Sequence, residues 1–178
     1  NHVPGQHCIY EGLHKLEPGC LLTVSLAQRE PKIERYWSLV EVAREGFSRP
    51  LQGSDEELVD TLESLLKDAI GRQMVADVPL GAFLSGGVDS SMVVALMQAQ
   101  STRRVRTFTI GFHETAYNEA VYAKEVARHL GTEHTELYVT PQEAMAVIPQ
   151  LPALYDEPFA DSSQIPTFLV SQIGRAHV

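Results

Sequence analysis

Cysteine is nearly missing. Cys8 and Cys20 are the only two in 178 residues, too few for the disulfide framework of a small secreted domain. A reducing cytoplasm is therefore the expected compartment. Basic residues are outnumbered, with 14 Lys and Arg against 23 Asp and Glu and a net charge of −9. Nucleic-acid binding wants a basic face, and Arg103, Arg104 and Arg106 make only a short cluster. No window of about 20 apolar residues occurs, which excludes a membrane-crossing helix from the expectations. No charged-then-apolar leader opens the chain. Neither end has the look of a natural terminus. Asn1 enters directly into ordered-looking sequence, and Ile173 to Val178 equals one reading frame of a short-read sequencing adapter that stops after Val. The expectation is a fragment whose residues 173–178 come from the adapter; a real helix end leading to a strand is the alternative. Site arguments stop at Gln172.

What is present supports a packed core, with an apolar share of 44 %. Residues 1–38 read as β-rich, with Leu21, Leu22, Val24 and Leu26 after the turn Glu17-Pro18-Gly19. Residues 39–53 have little periodicity and contain Gly46, Pro50 and Gly53, so they read as a linker. Ser54-Asp55-Glu56-Glu57 has the form of a capping box. The helix behind it carries Leu58, Leu62, Leu65, Leu66, Ala69 and Ile70 on one face, read as core. From there strands and helices alternate: strands at 78–84, 105–112 and 135–139, helices at 90–100, 118–130 and 141–151. Gly131 is placed to stop the second helix. Thr140-Pro141-Gln142-Glu143 opens the third with a capping box and Pro at N1. This order predicts an α/β fold, a twisted parallel sheet with flanking helices. Ligands in such sheets sit at the carboxyl ends of strands, which puts 84–91 and 110–112 on one rim.

That rim holds the segment richest in chemistry, Ser85-Gly86-Gly87-Val88-Asp89-Ser90-Ser91. Strand, glycine loop, helix is the build of a phosphate site. Glycine permits φ > 0 and close backbone approach to an anion. Successive N–H groups form a nest, and the following helix aims its positive end at the same point. Asp89 would repel a phosphate unless it holds Mg²⁺, which bridges carboxylate and phosphate oxygens. There is no G-x-x-x-x-G-K-[ST] pattern and no lysine in the loop.

The pattern S-G-G-x-D-S resembles the pyrophosphate loop of the ATP pyrophosphatases (adenine nucleotide α-hydrolase-like fold). Longer stretches narrow the likeness. Ile9-Tyr10-Glu11-Gly12-Leu13-His14-Lys15-Leu16-Glu17-Pro18-Gly19 resembles the tail of the N-terminal glutaminase domain of glutamine-hydrolysing asparagine synthetases. Arg35-Tyr36-Trp37 resembles the crossing into their synthetase domain. Thr107 to Phe112, Leu130-Gly131-Thr132-Glu133-His134, and Asp156-Glu157-Pro158-Phe159-Ala160-Asp161-Ser162-Ser163 with Ile165-Pro166-Thr167 resemble further segments in the same order. The implied organisation is a glutaminase tail over 1–38, a linker over 39–53 and the first part of the synthetase domain over 54–172.

The resemblance implies adenylation of the aspartate side-chain carboxylate by MgATP, then attack by glutamine-derived ammonia to give asparagine, AMP and pyrophosphate. By motif match Ser85, Gly86, Gly87, Asp89 and Ser90 would hold pyrophosphate, with Asp89 on Mg²⁺. Leu84 and Ile110 would touch adenine or ribose through backbone groups. Asp156, Glu157, Asp161 and Ser162 are the acceptor-site candidates. The expected partners are ATP, aspartate and ammonia, with a homodimer left open and no nucleic acid or membrane. No catalytic residue is expected within this stretch: Cys8 and Cys20 lie in the wrong segment for the glutaminase nucleophile, so the fragment alone is expected to be inactive. Other ATP pyrophosphatases stay as rivals, β-lactam synthetase foremost, as does a non-catalytic nucleotide-binding scaffold. The bland readings also stand: His134 as a loop histidine in local hydrogen bonds, His113 and Glu114 as solvated loop residues. For Asp156, Glu157 and Asp161, a metal cluster and a helix-start charge set are both open.

Overall fold

The computed structural model describes residues 2–27, 29–113 and 118–176. The chain forms two compact units, one of residues 1–58 with 152–160, the other of 59–151 with 161–178.

The first unit holds a two-stranded antiparallel ribbon. β1 (Cys20–Thr23) pairs with β2 (Lys32–Arg35), Cys20 opposite Arg35 and Thr23 opposite Lys32. The expected linker contains a helix, α1 (Leu39–Ser48), whose first turn is capped by Ser38 accepting from the Glu41 N–H. Its Leu39, Val40, Ala43 and Phe47 recur at helical spacing behind the Ser38 cap, although no residue of the helix is buried; the reading as a linker rested on Gly46, Pro50 and Gly53. α2 (Asp55–Gln73) begins on the expected capping box: Ser54 N–H donates to Glu57 Oε2 at 2.8 Å, and Glu57 N–H donates to Ser54 Oγ at 3.3 Å. The reading of its leucine stripe as core is corrected here. Leu58, Leu66 and Ile70 are half-buried, Leu62 and Leu65 are exposed, and no residue of α2 is buried. Periodicity names the apolar face of a helix but not what covers it.

The second unit is the parallel α/β part. β3 (Gly81–Phe83), β4 (Arg106–Phe112) and β5 (Glu133–Val139) form a sheet in that order, both pairings parallel. β3 starts later than the expected residue 78. Pro79 has no N–H to give to a ladder, whereas Leu84 N–H continues it by donating to Phe108 O at 3.0 Å. α3 (Val88–Gln100) links β3 to β4, and α4 (Ala120–Leu130) links β4 to β5. Gly131 ends α4 in the left-handed region at φ 72°. α5 (Pro141–Val147) has the expected capping box with Pro at N1. Pro149 and Pro152 then break the path into a single 3₁₀ turn and the short α6 (Leu151–Leu154), because each lacks the N–H a continuous helix needs. α7 (Gln164–Ala176) follows.

Side-chain alternation along β4 assigns the two faces. A Cβ on Gly111 would lie 3.1 Å from Ala120 Cβ, so that side meets α4. Phe108, Ile110 and Phe112 point the other way and share a cavity with Pro166, Thr167 and Val170 of α7. Helices therefore cover both faces. The core on the α3–α4 side is Leu84, Val94, Ala123 and Ala127, each 1 % exposed or less.

His134 is not on a loop but at the start of β5, in register with Thr107. Thr107 is fully buried, and its Oγ1 lies 2.9 Å from His134 Nδ1 and 3.0 Å from Thr132 Oγ1. His134 Nε2 is buried with no hydrogen-bond partner among the described residues. This cluster sits at the amino ends of the strands, opposite the glycine loop, so His134 does not serve the rim. Burial lowers its pKa, opposed in part by the Glu136 carboxylate. The folded state thus binds the proton more weakly than the unfolded chain. The neutral ring's contribution to stability is complete above about pH 6.5, the ordinary histidine value, and falls away as pH drops below it. Thermal midpoints measured from pH 7.5 down to 5.5 should decline, and a His134→Gln variant should follow a flatter profile.

Candidate functional site at the carboxyl edge of the sheet

Leu84 is 1 % exposed and ends the first parallel strand. The chain then turns out of the core through Ser85, Gly86 and Gly87 into α3. The two glycines do different work. Gly86 has φ 80°, and a Cβ there would stand 2.7 Å from Ala123 N and 2.7 Å from Tyr122 Cβ. It is the contact by which the loop lies flat on the first turn of α4. Gly87 has φ −72° and ψ 161°, an extended conformation open to any residue. A Cβ there would meet only Ser85 Oγ, at 3.3 Å.

The loop is held by its own serines. Ser85 N–H donates to Ser90 Oγ at 3.2 Å, the two hydroxyl oxygens are 2.9 Å apart, and Gly87 N–H donates to Ser85 Oγ at 3.3 Å. Ser90 Oγ also donates to Gly87 O at 3.3 Å. Gly87 caps α3 without a side-chain acceptor, although α1, α2 and α5 each have one. The N–H groups of Val88, Asp89 and Ser90 belong to a first turn with no intrahelical carbonyl to meet. They face the space an anion would occupy, and the helix dipole favours negative charge there.

Asp89 is exposed in that first turn. Its carboxylate has no hydrogen bond or ion pair among the described residues. Some acidic groups near helix starts are engaged, Glu57 with Ser54, Glu143 with Thr140 and Asp161 with Ser163, whereas Glu41, Asp55 and Glu56 are, like Asp89, exposed in their first turns. An unengaged carboxylate beside a ring of N–H and O–H donors fits a Mg²⁺ shared with phosphate oxygens, since that ion keeps few protein ligands. Among the described residues no three His, Cys, Asp or Glu side chains cluster as an all-protein metal cage.

Beside the loop opens a cavity of about 370 Å³. Its walls are Phe83, Leu84, Ser85, Phe108, Thr109, Ile110 and Phe112 from the strands, Glu119 before α4, and Pro166, Thr167 and Val170 from α7. Leu84, Ser85 and Ile110 thus share one apolar-floored space next to Gly86, Gly87, Asp89 and Ser90. Sequence reading placed Phe112 on the rim but gave no site role to Phe83, Phe108, Thr109, Glu119 or Val170. The alternation of 108, 110 and 112 and the i, i+4 spacing of 166 and 170 were available signals for some of them; Glu119 had none. His113 is exposed, its ring centroid 5.8 Å from that of Tyr138. Glu114 lies outside the described residues.

The four acceptor candidates fall in different units. Asp156 and Glu157 belong to the first. Glu157 forms an ion pair with Lys15, and its Oε1 accepts from Ile9 N–H at 3.2 Å. Its pKa is lowered, chiefly by Lys15 and also by the Cys8 thiol and the Ile9 N–H. The Asp156 carbonyl accepts from Tyr10 Oη at 3.4 Å, and its carboxylate is exposed. Tyr10, Lys15, Tyr155 and Phe159 line a separate cavity of about 630 Å³ with these two residues. In the second unit, Asp161 Oδ1 accepts from Ser163 N–H at 2.8 Å, and its pKa is lowered by the Ser163 hydroxyl first and by that N–H second. That turn leads into α7. Ser162 is exposed.

Fold and site define the class: a parallel α/β domain whose first βα turn is an S-G-G-x-D-S loop opening on an apolar cavity. The family model for asparagine synthase matches residues 61–178, and the chain belongs to that family. It is 34 % identical over 99 % of its length to a Mycobacterium tuberculosis protein described as "Putative asparagine synthetase (glutamine-hydrolyzing)", covering 26 % of it. It is 36 % identical over 99 % of its length to "Putative asparagine synthetase (glutamine-hydrolyzing) 2" of Methanocaldococcus jannaschii, covering 33 %. It is 34 % identical over 73 % of its length to "Asparagine synthetase (glutamine-hydrolyzing) 1" of Bacillus subtilis, covering 20 %. The chain spans between a quarter and a third of the length of the first two relatives.

The unequal glycines make a prediction about the loop. Gly86→Ala should destabilise the protein by at least about 1–2 kcal/mol from the left-handed backbone alone, with the α4 contact adding to it. Gly87→Ala should leave the unfolding midpoint unchanged or slightly raised while weakening inorganic pyrophosphate binding. Calorimetric melting and pyrophosphate titration of the two variants check both halves.

Proposed function

We propose that this chain supplies the ATP-pyrophosphatase part of a glutamine-hydrolysing asparagine synthetase, and that residues 1–38 are the tail of its glutaminase domain. The observation that carries the reading is the uncapped start of α3 behind Ser85-Gly86-Gly87, beside an apolar cavity at the carboxyl edge of the sheet. Family membership and the names of the relatives support it.

In this reading ATP lies with its base and sugar in the cavity and its β- and γ-phosphates on the loop. The apolar wall of Phe108, Ile110 and Val170 suits a purine, and the Leu84 and Ile110 backbones would meet base or ribose. The N–H groups of 86–90 and the serine hydroxyls take the pyrophosphate charge. Ser85 and Ser90 hold each other in this structure, so anion binding exchanges that contact for phosphate oxygens. Asp89 orients Mg²⁺, and the ion, when bound, neutralises charge on the departing pyrophosphate. The aspartate side-chain oxygen attacks the α-phosphorus, pyrophosphate leaves, and ammonia displaces AMP from the β-aspartyl adenylate. The protein's task is positioning and charge neutralisation, which matches a site without a covalent nucleophile. A cytoplasmic location suits these substrates.

The route has an isotopic signature. With ¹⁸O in the aspartate side-chain carboxylate, the intact gene product should place label in AMP, because that oxygen becomes the bridge to phosphorus and stays with it when nitrogen enters. Unlabelled AMP alongside product would rule out the acyl adenylate. Asp89→Asn keeps size and helix start and removes the charge. It should lower kcat/KM for MgATP by about a hundredfold or more, with an unchanged melting temperature; near-normal turnover would remove Asp89 from the metal site.

A further inference from the structure

We infer that Glu119 reads the ribose of the bound nucleotide, and so makes the site select a ribonucleotide over its deoxy counterparts. The inference rests on the nucleotide reading given above. Glu119 is a charged wall of the 370 Å³ cavity. Its carboxylate is exposed and has no hydrogen bond or ion pair among the described residues. Its backbone carbonyl is engaged: Glu119 O accepts from Tyr122 N–H at 3.1 Å and from Ala123 N–H at 3.0 Å, which starts α4. The next N–H, of Ala120, donates to Asn118 Oδ1 at 3.2 Å. The residue is therefore not needed as a side-chain cap, and its position is fixed by the helix rather than by its own charge.

That helix start lies against the phosphate loop. Ala123 N, which hydrogen-bonds back to Glu119 O, is the atom a Cβ on Gly86 would approach to 2.7 Å. Glu119 accordingly stands at the loop end of the cavity. A carboxylate there next to a polyphosphate is unfavourable unless it receives hydrogen bonds. ATP has few donors. Its ionised phosphates only accept, and its adenine amine is a nucleoside length away from the loop. The 2′ and 3′ hydroxyls are the donors between base and phosphates, and a carboxylate accepting from two vicinal hydroxyls satisfies both of its oxygens. Hydrogen bonds to a charged acceptor are stronger than neutral ones, so losing one hydroxyl should be felt.

The test compares ATP, 2′-deoxyATP and 3′-deoxyATP on the intact gene product and on Glu119→Gln, by calorimetric titration with Mg²⁺ present. The wild type should prefer ATP by about tenfold or more. Glu119→Gln should weaken ATP and leave at least one deoxy analogue unchanged, so that the preference shrinks to within about threefold. An unchanged preference in the variant overturns the inference while leaving the nucleotide reading intact. Equal weakening of all three nucleotides, reversed by raised Mg²⁺ or Mn²⁺, makes Glu119 a metal-directed group and also overturns it. A wild type that binds none of the three overturns the nucleotide reading and this inference together. The substitution changes no backbone contact, and an unaltered melting temperature confirms that the variant is folded.

Discussion

The close contact of Gly86 with the first turn of α4 is the constraint on which the site depends. Leu84 is sunk in the core beside Ala123 and Ala127, and two residues later the chain must pass over the same helix. Only a residue without a Cβ, in a left-handed conformation, fits. The contact fixes the direction in which the chain leaves the sheet, hence where α3 begins and where its unmet N–H groups point. It also brings Glu119 to the edge of the loop. A methyl group at this one position would disturb the core packing, the glycine loop and the cavity wall together.

Charge is distributed in a way that separates structure from chemistry. Glu57, Glu143 and Asp161 each close a helix start or a turn and have lowered pKa values because N–H and O–H donors stabilise the anion. Glu157 is committed to Lys15 and Ile9. Asp89, Glu119 and Asp156 are exposed without side-chain partners among the described residues, as are Glu41, Asp55 and Glu56. Asp89 and Glu119 are the ones that border the glycine loop and its cavity.

The acceptor segment has a different logic. Residues 152–160 belong with the N-terminal unit, held by Lys15, Ile9 and Tyr10, and the chain rejoins the parallel unit at Asp161. Three residues after Asp161, α7 begins, and its Pro166, Thr167 and Val170 close one wall of the cavity. The Asp-Glu-Pro-Phe-Ala-Asp stretch is thus a connector whose acidic residues are largely occupied with holding it in place. No metal cluster forms from it among the described residues.

Local chemistry was legible in the sequence. The capping boxes at Ser54 and Thr140, the stop at Gly131, the alternation of strands and helices and the Ser85–Ser91 loop are short-range patterns with short-range causes, and each stands where reading placed it, apart from shifts of a few residues at element ends. α1 was legible from the helical spacing of Leu39, Val40, Ala43 and Phe47 behind Ser38, though it was read as a linker; the incomplete burial of the Leu58–Ile70 stripe and the place of His134 on a strand were not legible. Those depend on which partner a face meets, and a single periodicity does not name partners. The site divides the same way. Residues contiguous in sequence, from Leu84 to Ser90, could be grouped by motif. Glu119 joined them only because α4 packs on Gly86, and Val170 only because α7 crosses the far face of β4. What the sequence determined by itself was the loop and the elements around it; what the tertiary structure decided was which distant side chains complete the cavity, because close packing between elements, and not proximity in the chain, sets those neighbours.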